Sequence, residues 1–136
     1  MLDRQRSSYS SLLPAAAAVE EEAGLPALKD GEYQAHGRPA NKPVFAVHFI
    51  NARREVRSFQ YQHLESDSRF EGGCIRLRFL AEVPVRVTIH GRNLWRLYDC
   101  LHRRVMPWVM EAGRGRDFGA DGETVVSGVE FVEVRE

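Results

Sequence analysis

From Val44 onward, apolar residues recur at every second position. Phe45, Val47 and Phe49 share one face of a strand running from Val44 to Ile50, and Phe59 and Tyr61 share one face of a second, Val56 to Tyr61. The polar stretch Asn51-Ala52-Arg53-Arg54 between them predicts a hairpin. Gly72-Gly73 opens a third strand with Ile75, Leu77 and Phe79 inward and Arg76 and Arg78 outward. A fourth carries Val83, Val85, Val87 and Ile89 on one side and Arg86, Thr88 and His90 on the other. Short connections between successive strands favour an antiparallel meander of about four strands.

At Gly91-Arg92-Asn93-Leu94 the period changes from two to that of a helix. Leu94, Leu97, Tyr98 and Leu101 follow the i, i+3, i+4, i+7 spacing of an amphipathic helix, for which Asn93 is the expected cap. His102, Arg103 and Arg104 fall in its last turn, where positive charge meets the negative end of the helix dipole. Pro107 disfavours helical geometry at Met106, so Pro107 to Glu111 is expected as a separate turn of helix or a bend. Gly113 to Gly122 reads as a loop and Thr124 to Val134 as a final strand. That strand is apolar on both faces, through Val125, Val129 and Phe131 on one and Val126, Val132 and Val134 on the other. It must therefore be covered on both sides or bulged.

The first 42 residues differ in kind, with a Ser-rich start, an alanine run, Glu20-Glu21-Glu22 and repeated Pro and Gly up to Pro43. They read as a flexible, low-complexity arm within which Pro14 to Ala23 could form a short helix, and residues 43–136 as a single α+β domain. A chain of 136 residues suits one core. The alanine-rich apolar run after Arg4 and Arg6 is broken by Pro14 and followed by acids, against a secretory signal, and it is too short to span a membrane.

Nineteen basic and nineteen acidic residues cancel, which excludes bulk attraction to nucleic acid or anionic membrane. The charge is uneven nonetheless: Arg53 to Arg104 holds eleven Arg and six acids, a balance of +5, whereas Val105 to Glu136 holds three Arg and seven acids, a balance of −4. Cys74 and Cys100 are too few for a disulfide scaffold, so reduced thiols in a cytoplasmic protein are expected.

The pattern assigns no catalytic residue, metal or cofactor. His48, His63, His90 and His102 lack metal-binding spacings, and Cys100 and His102, two apart on a helix, point about 200° from each other. Asp117-x-x-x-Asp121-x-Glu123 does not match a calcium loop, and nothing frames Gly113-Arg114-Gly115 as a phosphate loop. An enzyme using dispersed groups such as His63, Asp67 and His90 has no local geometry in its favour. Binding candidates remain. Pairing of the third and fourth strands would gather Arg76, Arg78, Arg86 and His90 on one face, as a site for nucleic acid or an anionic ligand, although without aromatics for base stacking. Trp95, beside Arg92 and Arg96, has the composition of a protein contact patch.

The run Val85-x-Val87-x-Ile89-x-Gly91-Arg92-Asn93-Leu94-x-x-Leu97-Tyr98-x-x-Leu101, followed by Arg104-Val105 and Trp108-Val109-x-Glu111, resembles short bacterial proteins with no assigned activity. The resemblance implies this fold and a bacterial source, and it transfers no catalytic residue. The sequence thus predicts a non-enzymatic module that binds another protein or a second copy of itself, through the final strand or the Trp95 side of the helix. The alternative is anion binding through Arg76, Arg78 and Arg86.

Overall fold

The computed structural model describes residues 33–113 and 122–135. The helix expected over Pro14 to Ala23 and the glycine and acid pattern from Arg114 to Asp121 lie outside them. In chain order the elements are β1 (Ala46–Ile50), β2 (Val56–Gln60), a 3-10 turn (Tyr61–His63), β3 (Arg69–Glu71), β4 (Cys74–Phe79), β5 (Val85–Arg92), α1 (Trp95–His102), β6 (Trp108–Met110) and β7 (Val125–Glu133). The fold is mixed α+β, with a four-stranded antiparallel sheet, a helix following it and a final strand. The strands divide between two sheets. One has the order β3-β4-β5-β7; in the other, β2-β1-β6, β1 pairs antiparallel with β2 and parallel with β6.

Three local features depart from the sequence reading. Gly72-Gly73 does not merely open β4. With φ of 60° and 78° it closes a two-residue hairpin back onto the short strand β3, as a loop with two left-handed positions does. Pro107 to Glu111 contains the strand β6 where a turn of helix or a bend was expected. The proline lacks only a donor, and its carbonyl accepts the His48 N–H at 3.1 Å, after which Trp108, Val109 and Met110 run in register with His48, Phe49 and Ile50. Asn93 does not cap α1 either. It sits at φ 55°, a left-handed conformation that asparagine tolerates, and its side-chain N–H donates to the Glu123 carbonyl at 2.8 Å. Its own carbonyl accepts from the Thr124 hydroxyl at 2.7 Å, so the strand-to-helix junction is tied to the start of β7.

A bulge accounts for part of the two-faced apolarity of β7, while Val132 stays 43% exposed on the other face. His90 pairs with Gly128 and Gly91 with Val126, which leaves Ser127 without an opposite residue and reverses the inside-outside alternation. Val126 is thereby fully buried, on the same side as Val129 and Phe131. Strand β5 passes so close to β7 here that a Cβ on Gly91 would overlap the Val125 carbonyl.

One core lies between the sheets and the helix. Phe49 and Phe59 from one sheet interlock with Phe79 and Phe131 from the other, with ring centroids 4.5 to 6.5 Å apart, and Leu94, Leu97 and Leu101 of α1 are buried against the same cluster. The packed body takes in residues N-terminal to Pro43. Residues 35–44 run beside 104–110, through Met110 N–H to the Ala35 carbonyl (2.7 Å), Gly37 N–H to Trp108 (3.1 Å), Ala40 N–H to Val105 (2.8 Å) and Val44 N–H to Arg104 (2.8 Å). The Tyr33 hydroxyl donates to the Met110 carbonyl at 2.9 Å and accepts the Val126 N–H at 2.8 Å. The Glu111 carboxylate accepts from Ala52 N–H (3.2 Å) and Val129 N–H (3.0 Å), joining the two sheets.

Two consequences are measurable. Gly91→Ala should lower the unfolding free energy by about 2–3 kcal/mol, the range of overpacking that moves backbone, whereas Gly128→Ala, whose Cβ would meet only the Glu111 carboxylate at 3.8 Å, should change it little. Equal urea midpoints for the two variants would refute the close approach. Burial raises the phenol pKa of Tyr33 to about 12, opposed by its hydrogen bond to Val126 and helped by Glu111, and burial likewise raises that of Tyr61, whose hydroxyl donates to the Met106 carbonyl at 2.7 Å. Unfolded phenols lose their protons near pH 10 and the folded ones later. Stability is therefore full below pH 10 and falls as pH rises from 10 toward 12, because the unfolded chain binds fewer protons there. The drop in urea midpoint between pH 9 and 11.5 should be smaller in Tyr61→Phe than in the parent chain.

Candidate functional site

The residues singled out in the sequence occupy two separate surfaces. On the open face of the four-stranded sheet the register forms cross-strand rows: Arg78, Arg86 and Val132; Arg69, Arg76, Thr88 and Glu130; and Glu71, Cys74, His90 and Gly128. Arg76, Arg78, Arg86 and His90 are thus brought onto one face, as pairing of these strands requires. Arg92 ends β5, and Trp95 begins α1 on the other side of the sheet.

The open face carries its own counter-charges. Arg76 Nη1 lies 3.2 Å from Glu71 Oε1, and Arg69 Nη2 lies 3.6 Å from Asp67. Arg78 Nε lies 2.7 Å from Glu65 Oε2; both atoms are shielded from solvent, and the N–H points off the contact line, so this is an ion pair rather than an aligned hydrogen bond. The loop acids Glu65, Asp67 and Glu71 are accordingly partners of arginines. Thr88 is 8% exposed at the centre of the face, beneath the longer side chains.

The third row holds a linear contact that the sequence reading missed. Cys74 Sγ lies 3.3 Å from His90 Nδ1, and His90 Nε2 lies 3.2 Å from Glu130 Oε1. The signal was legible only through the register, since 16 residues separate the cysteine from the histidine and 40 separate the histidine from the glutamate. The other dispersed groups do not join them. His63 is exposed in the 3-10 turn and Asp67 faces Arg69. Among the described residues no group of three His, Cys, Asp or Glu side chains is placed to hold a metal ion.

On the helix side of the sheet edge four rings touch. Trp95, Tyr98 and His102 stand at i, i+3 and i+7, one stripe of α1. Phe70 pairs with Ile75 in the β3–β4 hairpin, so it points to the helix side and completes the group. Phe70 and Trp95 meet edge to face at 5.5 Å, each lies 5.6 Å from Tyr98, and Tyr98 stacks on His102 at 6.1 Å. The Tyr98 hydroxyl donates to the Ser68 carbonyl at 3.1 Å, and Ser68 Oγ lies 3.2 Å from His102 Nδ1, which fixes the stripe against the loop before β3. Trp95 is 61% exposed and Phe70 37%. Arg96 is exposed next to Trp95 on α1, and Arg103 pairs with Asp99 at 3.4 Å one turn below. Phe70 was hidden in the sequence by a strand of only three residues.

A cleft of about 240 Å³ lies where the two sheets part, lined by Phe49, Val56, Val129 and Phe131 with Glu55 and Arg57 at its rim. The Arg57 guanidinium lies 4.9 Å from the Phe131 ring and 5.4 Å from that of Phe59, so its stem and charge cover the apolar seam. No helix among the described residues is long and apolar enough to cross a membrane. No family model, curated protein or solved structure matches this chain.

Proposed function

We propose that this chain is a non-enzymatic interaction module that binds a protein partner through the aromatic patch of Phe70, Trp95 and Tyr98. The observation carrying the proposal is the exposure of Trp95 and Phe70 while both are held in ring contact with Tyr98. Large aromatic rings already fixed in place lose little freedom on binding and offer apolar area, which is how contact hot spots work. Arg96, exposed next to Trp95 on α1, adds positive charge beside the patch. That charge suits a partner segment with apolar side chains between acidic ones.

A second copy fits less well. A two-fold contact would bring the positive charge of Arg96 toward its own copy, and the bulge in β7 takes Val126 into the core, which leaves Val132 as the exposed large apolar residue of the final strand. Reduced Cys74 and Cys100 agree with a cytoplasmic setting in a bacterium.

The anionic-ligand reading has one observation in its favour, the placement of Arg78 opposite Arg86. Glu65 and Glu71 counter it by neutralising Arg78 and Arg76. It requires retention of RNA, DNA or polyphosphate at low salt that declines with added salt and with Arg78→Ala/Arg86→Ala.

For the leading proposal, the full chain should capture a protein from its native cells that Trp95→Ala loses and Arg86→Ala retains. Binding of the identified partner should weaken at least about tenfold in Trp95→Ala, as expected for a hot-spot residue. Because Trp95 is exposed, the variant should keep the parent urea midpoint. Sedimentation velocity should show a monomer whose coefficient does not rise with concentration. The same captured proteins with Trp95→Ala as with the parent would overturn the proposal, and concentration-dependent sedimentation abolished by Trp95→Ala would replace the partner with a second copy.

A further inference from the structure

We propose that Cys74 is a reactive thiol that exchanges with small disulfides, with His90 taking its proton and Glu130 orienting His90. The contacts specify the roles. Sγ of Cys74 lies 3.3 Å from Nδ1 of His90, and Nε2 of the same ring lies 3.2 Å from the Glu130 carboxylate. One neutral tautomer satisfies both: the thiol donates to Nδ1, and Nε2–H donates to Glu130. Proton transfer from sulfur then leaves an imidazolium between a thiolate and a carboxylate, the order of groups by which a base activates a nucleophile and a third group holds the base.

The surroundings favour this particular chemistry. The charged groups facing the pair are Glu71 from β3, Arg76 from β4, Arg92 from β5 and Glu130 from β7. Arg69 and Arg78 on this face are countered by Asp67 and Glu65, so access to the sulfur rather than charge selects the reagent. The thiol is half-buried rather than enclosed, and Gly72-Gly73 before it present no side chains: a Cβ on Gly73 would meet nothing nearer than the Gly91 carbonyl at 3.9 Å. An exchanging disulfide needs only access to sulfur, which a half-buried thiol beside two glycines gives.

In the step, the Cys74 thiolate attacks one sulfur of the disulfide, a new S–S bond forms and the old one breaks, and the departing thiolate takes its proton from His90. Cys74 is oxidised to the mixed disulfide while one half of the reagent is reduced to a thiol. The only other cysteine, Cys100, is 2% exposed on the buried face of α1 and cannot resolve the adduct, so modification is stoichiometric and is reversed by an external thiol.

Glutathione disulfide, with the adduct located by mass spectrometry, tests the proposal on the folded full chain. The adduct should form on Cys74 and not on Cys100, with Cys74→Ser unmodified and Cys100→Ser modified like the parent. His90→Gln should slow the reaction about tenfold or more at pH 7, the lower range for loss of a general base, and the gap should close above about pH 9.5, where a free thiol ionises unaided. Glu130→Gln should slow it less and should also flatten the pH profile between 6 and 8, which a merely structural role would not do. Equal rates and equal pH profiles for the parent, His90→Gln and Glu130→Gln would overturn the proposal. Should His90→Gln unfold, the Glu130→Gln profile decides by itself, since that side chain is exposed at the sheet surface.

Discussion

The close passage of β5 past β7 at Gly91 is the constraint on which the rest of this structure depends. No residue with a Cβ fits against the Val125 carbonyl, and the approach coincides with the bulge that leaves Ser127 unpaired. Because a one-residue slip exchanges the two faces of a strand, the bulge puts Val126 into the core on the same side as Val129 and Phe131. Beyond Gly91 the chain turns through the left-handed Asn93, whose two hydrogen bonds reach Glu123 and Thr124 rather than the helix. Helix direction is thus set by β7, an element that follows α1 in the sequence by more than twenty residues.

A second level of organisation is the joining of the two sheets. Four phenylalanines do this by burial, and aromatic pairs of such geometry each add about 0.5–1.5 kcal/mol beyond the area they remove from water. Polar groups finish the joint. Tyr33 and Glu111 satisfy the Val126 and Val129 N–H groups on the outer edge of β7, so this part of the edge offers no free ladder to another chain. At the opposite edge β3 is only three residues long and carries Arg69 and Glu71, a charged and short edge of the kind that resists strand addition. With both edges managed in this way, recognition is placed at the corner of α1 and β3, where exposed rings touch one another and are held as a group, whereas Phe45, Leu80 and Val132 are exposed at other points of the surface.

Much of this was legible in the amino-acid pattern. The inward series Ile75, Leu77, Phe79 and Val85, Val87, Ile89 is buried as alternation requires, and the Leu94, Leu97, Leu101 stripe is the buried face of α1. What was not legible depended on residues distant in sequence. Trp108 to Met110 looked like a turn because Pro107 precedes it, and only the presence of β1 as a parallel neighbour makes it a strand. Asn93 had the right identity and position for a cap, but Glu123 and Thr124 compete for it and win with two bonds. The arginines of the open face were readable as a set, while their neutralisation was not, because Glu65 and Asp67 reach them from a loop with no period. The contact between Cys74 and His90 follows from the β4–β5 register, which the turn between Phe79 and Val85 sets, whereas Gly72-Gly73 fix the β3–β4 hairpin.

That hairpin supplies both surfaces, and its alternation keeps them apart. Phe70 projects to the helix side, whereas its neighbours Arg69 and Glu71 belong to the open face, where Glu71 lies opposite Cys74. A change at His90 or Glu130 therefore acts on the far side of the sheet from the ring cluster, and a change at Trp95 leaves the thiol's neighbours in place. Sites that share no contacts contribute additively. A combined Trp95→Ala/His90→Gln chain should accordingly show the partner loss of one change and the slowed thiol reaction of the other, each at its single-variant size. Any excess would travel through shared elements such as the three-residue strand β3, which touches both surfaces through its own side chains.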